Sequence, residues 1–108
     1  MGMVKAGFAQ TDITPRVGVE MTGFGPYILR QSTGVRDRLW AKAMVLELDG
    51  ERMLLIACDL LGVSLDFTNM VRAKIEAHTG ISKDAIMLAC SHTHSGPAVS
   101  YYIGWGER

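Results

Sequence analysis

The sequence lacks the features that mark several large classes of protein. It has two cysteines in 108 residues, too few for the disulfide framework of a small secreted domain. Both of them, Cys58 and Cys90, lie inside apolar runs, where we expect buried, reduced thiols. The N-terminus has no long apolar stretch of the signal-peptide kind, so a cytoplasmic location is the default expectation. No apolar run approaches the roughly 20 residues that cross a bilayer, and no transmembrane segment is expected.

An excess of charge of either sign is missing as well. The 11 Lys and Arg residues balance the 11 Asp and Glu residues. No basic run occurs, so nucleic acid and anionic membrane surfaces are not expected partners. What the chain does have is apolar residues, 48% against 20% charged, which is the composition of a folded domain. A chain of this length buries roughly 65% of its unfolded surface, enough for one domain with a core.

The first 36 residues predict one strand and one long loop. Residues 3–9 make a short strand candidate. The segment Thr11-Asp12-Ile13-Thr14-Pro15 is expected to end it, because proline removes a backbone donor and restricts the residue before it. Residues 16–36 contain four glycines and one proline, and we interpret them as a loop. Loops this long in compact domains are usually functional or contact another part of the structure.

Two apolar runs that flank Asp49-Gly50 predict a hairpin. The first extends from Leu39 to Leu48 and the second from Arg52 to Leu61. An Asp-Gly pair between two such runs is a strong signal for a tight two-residue turn. The second run is continuously apolar from Met53 to Cys58, as expected for a strand that is covered on both faces.

A helix and a further strand follow in the sequence. Ser64 can cap a helix through its hydroxyl, and apolar residues then recur every three or four positions. Gly80 suits the residue that ends the helix, and His78 lies in the last turn, where a positive charge is favoured. The run from Ala85 to Ala89 is the next strand candidate. Strand, helix and strand in this order predict a right-handed βαβ unit with parallel strands.

Together these elements predict an α/β fold, a mixed sheet with a hairpin and one βαβ unit. After Pro97 the chain continues through Tyr101, Tyr102 and Trp105 without a closing element. Aromatic residues of this kind bury large surfaces when they pack against further protein. We therefore expect residues 1–108 to be a single, incomplete N-terminal portion of a larger α/β domain, able to form a homo-oligomer through its exposed surface.

Three candidate site residues meet at the carboxyl edge of the predicted parallel strands. Asp59 ends the strand before the helix, and His92 and His94 lie just past the strand after it. Ligands of α/β sheets bind outside the carboxyl ends of strands. Side chains at i and i+2 of an extended backbone point to the same side, so the two imidazoles are expected to face one site. Imidazole suits zinc, and zinc-bound water titrates near neutral pH.

Each of these residues also has a structural explanation. The His-Thr-His segment can be a polar loop without a ligand, although the pairing and position of the histidines favour function. For Asp59 the two explanations are equally good, because a carboxylate at a strand end can cap the next segment. His78 is interpreted as a helix-end residue, since a helix of about 14 residues carries it ~20 Å from this edge. Cys90 is a poor candidate nucleophile, because no base in contact is predicted for it.

A set of motifs spread over nearly the whole chain points to one family. They are Ala6-Gly7, Asp12-Ile13-Thr14-Pro15, Met21-Thr22-Gly23-Phe24-Gly25, Gly34-Val35, Arg38-Leu39-Trp40-Ala41-Lys42-Ala43, the strand end at Asp59, and Ser91-His92-Thr93-His94-Ser95-Gly96-Pro97. Each motif alone is weak, but Asp-Ile-Thr-Pro followed by His-Thr-His-Ser-Gly-Pro is fairly specific. In this order they resemble the N-terminal region of the neutral/alkaline non-lysosomal ceramidases and their bacterial relatives.

The resemblance implies a zinc-dependent amidase that cleaves the N-acyl bond of ceramide into sphingosine and a fatty acid. It implies that His92 is a zinc ligand and that His94 is its catalytic companion. It also implies that Asp59 binds a second divalent ion, Ca²⁺ or Mg²⁺. Family members are much longer, and the resemblance puts the remaining zinc ligands beyond Arg108. The 108-residue chain alone is then expected to be inactive.

Two other functions fit parts of the sequence. Another His-x-His metallohydrolase, such as one of the metallo-β-lactamase type, should carry an Asp-His pair shortly after the histidines, where this chain has Gly96-Pro97. A non-catalytic α/β module that binds a partner through the aromatic C-terminal tail should carry no stoichiometric zinc. The motifs favour the ceramidase-type hydrolase, with a small-molecule lipid amide as its substrate.

Overall fold

The computed structural model describes residues 2–24 and 30–99 of the chain. Its elements are β1 (Lys5–Asp12), β2 (Trp40–Leu48), β3 (Glu51–Cys58), α1 (Leu65–Thr79), a 3₁₀ turn (Lys83–Ala85) and β4 (Ile86–Cys90). The strands form one sheet in the order β1-β2-β3-β4. The pairs β1–β2 and β2–β3 are antiparallel, whereas β3 and β4 are parallel, which confirms the predicted mixed α/β sheet. No helix of the described residues is long and apolar enough to cross a bilayer.

The turn between β2 and β3 is the tight hairpin that the Asp-Gly pair predicts. Leu48 pairs with Glu51 across it, so two residues make the loop. Both have positive φ, 51° for Asp49 and 81° for Gly50, as a type I′ turn requires. The twist of this turn matches the twist of the flanking strands, and the turn therefore sets the register of the ladder.

The βαβ unit is also confirmed. The Ser64 Oγ caps α1 by accepting a hydrogen bond from the Phe67 N–H at 3.1 Å, and Gly80 ends the helix with a φ of 75°. The parallel strands pair with Cys58 opposite Cys90. The residues that follow each strand, Asp59 after β3 and His92 after β4, therefore lie on one edge of the sheet.

Two strand ends differ from the prediction by three residues, and the other strand boundaries differ by two residues or fewer. β1 continues past residue 9 as far as Asp12, because its last residues still pair with β2. The break comes where the Asp12 carboxylate accepts a hydrogen bond from the Thr14 N–H at 2.8 Å. β3 stops at Cys58, before the predicted end at Leu61, since the Leu60 N–H turns back to the Cys58 carbonyl at 2.9 Å. Both corrections come from hydrogen bonds that apolar patterning does not reveal.

The core of the described chain lies between the sheet and α1. Leu54 of β3 and Ile86 of β4 are buried there together with Ile81, which follows the helix. Ile75 of α1 packs against this group. The helix thus covers the face of the sheet from which Leu54 and Ile86 project.

The opposite face of the sheet is apolar and open among the described residues. One row of register partners crosses all four strands through Phe8, Met44, Leu55 and Met87, which we call the outer sheet face. Phe8 is 76% exposed and Met87 is 62% exposed. The expectation that β3 is covered on both faces is therefore wrong for the part of the chain that is described. A continuously apolar strand is typical of a sheet with two covered faces, but α1 covers only one.

Candidate active site

Backbone hydrogen bonds join the two segments that follow the parallel strands. The Ser91 N–H donates to the Cys58 carbonyl at 2.9 Å, and the His92 N–H donates to the Leu60 carbonyl at 3.0 Å. The edge of the sheet therefore continues beyond β3 and β4 as one connected surface. It carries the side chains of Asp59 and His92.

His92 has an uncommon backbone conformation, and its ring orientation is set by a hydrogen bond. Its φ is 62°, in the left-handed region that residues other than glycine seldom occupy. Its Nδ1 lies 2.9 Å from the Leu61 carbonyl oxygen. A carbonyl can only accept, so Nδ1 carries the proton of the neutral ring and Nε2 keeps its lone pair. Metal-binding histidines typically donate a hydrogen bond from the N–H of their second ring nitrogen to a carbonyl or carboxylate in this way.

His94 has the opposite assignment of its ring nitrogens. Its Nδ1 accepts a hydrogen bond from the Phe24 N–H at 3.3 Å, so in the neutral ring Nε2 carries the proton. The rings of His92 and His94 are neighbours, with centroids 5.0 Å apart and planes at 73°. The site thus combines an Nε2 acceptor on His92 with an Nε2–H donor on His94.

The two histidines are brought together by a different route from the one predicted. An extended backbone would place side chains at i and i+2 on one side, but the positive φ of His92 interrupts the extended geometry. The ring of His94 instead packs edge-on against the Phe24 ring, with centroids 5.2 Å apart. The long loop, and not the strand, therefore holds His94 in place.

The loop of residues 16–36 contacts the histidine segment, as its length led us to expect. The Thr22 N–H donates to the Gly96 carbonyl at 3.1 Å. Gly23 is buried with a φ of 104°, and a Cβ added there would come within 2.6 Å of the His94 Cγ. Glycine is required at this position, both by its backbone conformation and by the ring against it.

Sequence reasoning missed three residues of the site, Gly23, Phe24 and Arg30. Gly23 and Phe24 had a signal, since they lie in the Met-Thr-Gly-Phe-Gly motif, but their contacts with His94 were not visible. Arg30 had none. Its Nη2 donates to the Thr22 carbonyl at 3.1 Å and to the His94 carbonyl at 2.8 Å. All three residues act through contacts between distant parts of the chain.

Asp59 has an evident structural partner in this site. Its Oδ2 accepts a hydrogen bond from the Trp40 N–H at 2.9 Å, and its own N–H donates to the Trp40 carbonyl at 3.0 Å. These two bonds tie the end of β3 to the start of β2. The interaction uses one carboxylate oxygen and supports the structural explanation, while a role as a metal ligand stays a prediction.

Replacing Asp59 separates these two roles. Asp59→Ala leaves the half-buried Trp40 N–H without its acceptor and should lower the free energy of unfolding by about 1–3 kcal/mol. Asp59→Asn retains a side-chain oxygen and should recover most of that loss in urea denaturation. Asp37→Ala, at a side chain that is 89% exposed, is the control and should change little. If Asp59→Asn is as unstable as Asp59→Ala, the hydrogen bond is not the reason for the aspartate. Loss of a Ca²⁺ or Mg²⁺ effect on stability in Asp59→Asn would support a metal role.

The remaining candidates, Cys58, Cys90 and His78, have the properties of structural residues. Cys58 and Cys90 are free and half-buried, and burial raises the pKa of both thiols. The neighbouring Cys90 and Asp59 raise the pKa of Cys58 further. Protonated thiols are poor nucleophiles. His78 lies in the last turn of α1, with Nδ1 2.8 Å from the Lys74 carbonyl oxygen, as a helix-end residue should.

The described residues supply one suitable metal ligand, His92, and not a complete metal site. Within residues 2–24 and 30–99, no three His, Cys, Asp or Glu side chains lie close enough to hold an ion together. His92 suits a ligand, because its Nε2 keeps a lone pair. His94 does not suit a second one, since its Nδ1 is hydrogen-bonded and its Nε2 carries the proton.

Comparison with known proteins gives one consistent match. The family model described as neutral/alkaline non-lysosomal ceramidase, N-terminal, matches residues 4–103. The neutral ceramidase of Pseudomonas aeruginosa is 33% identical over 97 residues, which is 84% of this chain and 14% of that protein.

Solved structures agree with this match. The crystal structure of neutral ceramidase from Pseudomonas aeruginosa has a TM-score of 0.79 and 31% identity, over 88% of this chain and 16% of that one. A structure of ceramidase complexed with C2 gives the same score and identity, over 15% of its chain. The chain thus spans about a seventh of the length of these relatives. It belongs to the neutral/alkaline non-lysosomal ceramidase family and corresponds to the N-terminal region of that family.

Proposed function

We propose that this chain is the N-terminal portion of a zinc-dependent amide hydrolase that acts on ceramide and releases sphingosine and a fatty acid. Membership of the family and the name of the Pseudomonas aeruginosa relative, neutral ceramidase, support this reaction. One observation carries the assignment of residues. The rings of His92 and His94 are neighbours, with centroids 5.0 Å apart. The Nδ1 of His92 faces an acceptor and that of His94 faces a donor, so His92 presents a lone pair at Nε2 and His94 presents an N–H.

In this proposal His92 would hold the zinc ion through Nε2. Its Nδ1–H bond to the Leu61 carbonyl fixes the ring and increases the electron density on the ligating nitrogen. Bound zinc would polarise the amide carbonyl and lower the pKa of a water molecule. The His92 ring lies beside that of His94, with centroids 5.0 Å apart.

His94 is proposed to act on the substrate as a hydrogen-bond donor. Because its Nδ1 accepts from the Phe24 N–H, the neutral ring can donate only from Nε2. To take up a proton, Nδ1 would have to give up the Phe24 bond. This favours contact with the amide carbonyl oxygen, where negative charge develops during hydrolysis, over service as a general base.

The remaining zinc ligands are proposed to come from further protein. A catalytic zinc site normally has three protein ligands and an open position for water, and the described residues offer His92 as the one with suitable geometry. Asp59 is proposed to serve a second divalent ion, Ca²⁺ or Mg²⁺, in addition to its bond with Trp40. In this proposal the whole protein is the chain continued to the length of a complete ceramidase.

The chain alone should therefore be inactive, and measurements of its zinc binding and of its hydrolysis of ceramide test the proposal. We expect the purified 108-residue chain to bind zinc weakly and to leave short-chain ceramide intact, whereas the whole protein binds zinc and hydrolyses it. The chain should also self-associate in sedimentation, because the outer sheet face exposes contiguous apolar side chains. Tight one-to-one zinc binding with turnover by the chain would contradict the incomplete site. A whole protein without stoichiometric zinc would favour a non-catalytic binding module.

A further inference from the structure

Arg30 makes three contacts that converge on His94. Its Nη2 donates to two backbone carbonyls, that of Thr22 at 3.1 Å and that of His94 at 2.8 Å. Its Cζ lies 5.0 Å from the centroid of the Phe24 ring, in cation–π contact. Phe24 in turn donates its N–H to the Nδ1 of His94. One guanidinium therefore links residues 22–24 to both the backbone and the ring of His94.

We propose that Arg30 is a positioning residue that clamps residues 22–24 onto His94 and so holds its ring beside that of His92. β4 ends at Cys90, so the pairing of β3 with β4 does not extend to His94. The backbone bond of Thr22 to Gly96 holds the loop near this segment, and Arg30 adds the contact to His94 itself. The proposal rests on the proposed function only in giving His94 a role in catalysis. The contacts themselves do not depend on that role.

The geometry favours a positioning role for Arg30 over direct contact with the substrate. Its Nη2 is engaged by two carbonyls, and its Cζ lies over the Phe24 ring. The Nε atom is buried. A guanidinium held in this way acts through His94.

The test compares Arg30→Met, Arg30→Lys and a matched control, Arg36→Met. Arg36 lies in the same loop, with a side chain that is 98% exposed. In the full 108-residue chain, NMR follows the contact between the His92 and His94 rings and the hydrogen exchange of the Phe24 amide. The Thr22 amide, which donates to Gly96, serves as an internal reference. Neither signal requires zinc or substrate, so these measurements test the proposal independently of the ceramidase reaction.

We expect Arg30→Met to lose the ring contact and the protection of the Phe24 amide while the Thr22 amide stays protected. Arg30→Lys should restore both signals in part, because an ammonium group can donate to two carbonyls but lacks the planar guanidinium. Arg36→Met should match the unmodified chain. Unchanged ring contact in Arg30→Met, or equal loss in Arg36→Met, would overturn the proposal. If Arg30→Met does not fold, Arg30→Lys decides, and unweakened signals there overturn the proposal.

Kinetics of the whole protein give a second readout. A misplaced catalytic group costs up to about 100-fold in rate for a shift of ~1 Å, so kcat should fall between about 10-fold and 100-fold in Arg30→Met. KM should stay nearly constant, because Arg30 does not contact the substrate. A raised KM with unchanged kcat would mean direct substrate binding and would contradict a positioning role.

Discussion

Replacing His92 by alanine in the whole protein is expected to abolish zinc retention and ceramide hydrolysis together. Loss of the group that accepts a hydrogen bond from the second ring nitrogen of a metal-binding histidine already lowers metal affinity by about 10- to 100-fold. Removal of the ligand itself should cost more, since a catalytic zinc ion has only three protein ligands. Zinc content after dialysis against a chelator and the release of fatty acid from short-chain ceramide measure the two effects.

His78→Ala is the matched control for this substitution. His78 is exposed in the last turn of α1, where its Nδ1 contacts the Lys74 carbonyl, and its loss should leave zinc content and activity unchanged. Normal zinc content in His92→Ala would refute the ligand assignment. Loss of zinc in both variants would indicate a general loss of structure, which circular dichroism of each variant detects.

Gly23→Ala is expected to have the second large effect. The added Cβ would lie 2.6 Å from the Cγ and 2.7 Å from the Nδ1 of His94, so the ring or the loop must shift, which disturbs the contacts of His94 with Phe24 and His92. A displacement of ~1 Å can cost about 100-fold in rate. The φ of 104° adds strain of roughly 1–2 kcal/mol for a residue with a Cβ. We expect kcat of the whole protein to fall by up to about 100-fold and its unfolding midpoint to fall as well.

Gly34→Ala provides the comparison within the same loop. A Cβ at Gly34 would meet no atom within 4 Å, and the residue is exposed. Its replacement should leave activity unchanged and should shift the free energy of unfolding by less than about 1 kcal/mol. If Gly23→Ala and Gly34→Ala have equal effects on activity and stability, the contact of Gly23 with His94 is not the cause of the loss, and the prediction is contradicted.

The sequence by itself determined the local elements and the edge on which the site lies. Asp49-Gly50 specifies the hairpin because both residues tolerate positive φ, and Ser64 and Gly80 delimit α1 through the chemistry of helix ends. The βαβ order makes the two strands parallel, which brings Asp59 and His92 to one edge. The combination of motifs was specific enough to indicate the family. The inferences about the hairpin, the helix and the sheet edge depend on residues that are close together in the chain or on a rule of connection. The inference of the family depends on the order of short motifs along the chain.

Tertiary structure alone decided how the histidines are arranged. The partner of the His94 ring is the Phe24 amide, 70 residues away, and the Arg30 clamp reaches the His94 carbonyl across 64 residues. Patterns of apolar residues carry no information about such contacts, because these depend on how a loop lies on the sheet. For the same reason the sequence placed the ends of β1 and β3 wrongly. The apolar character of β3 was visible in the sequence, but which of its faces α1 covers became apparent only from the packing.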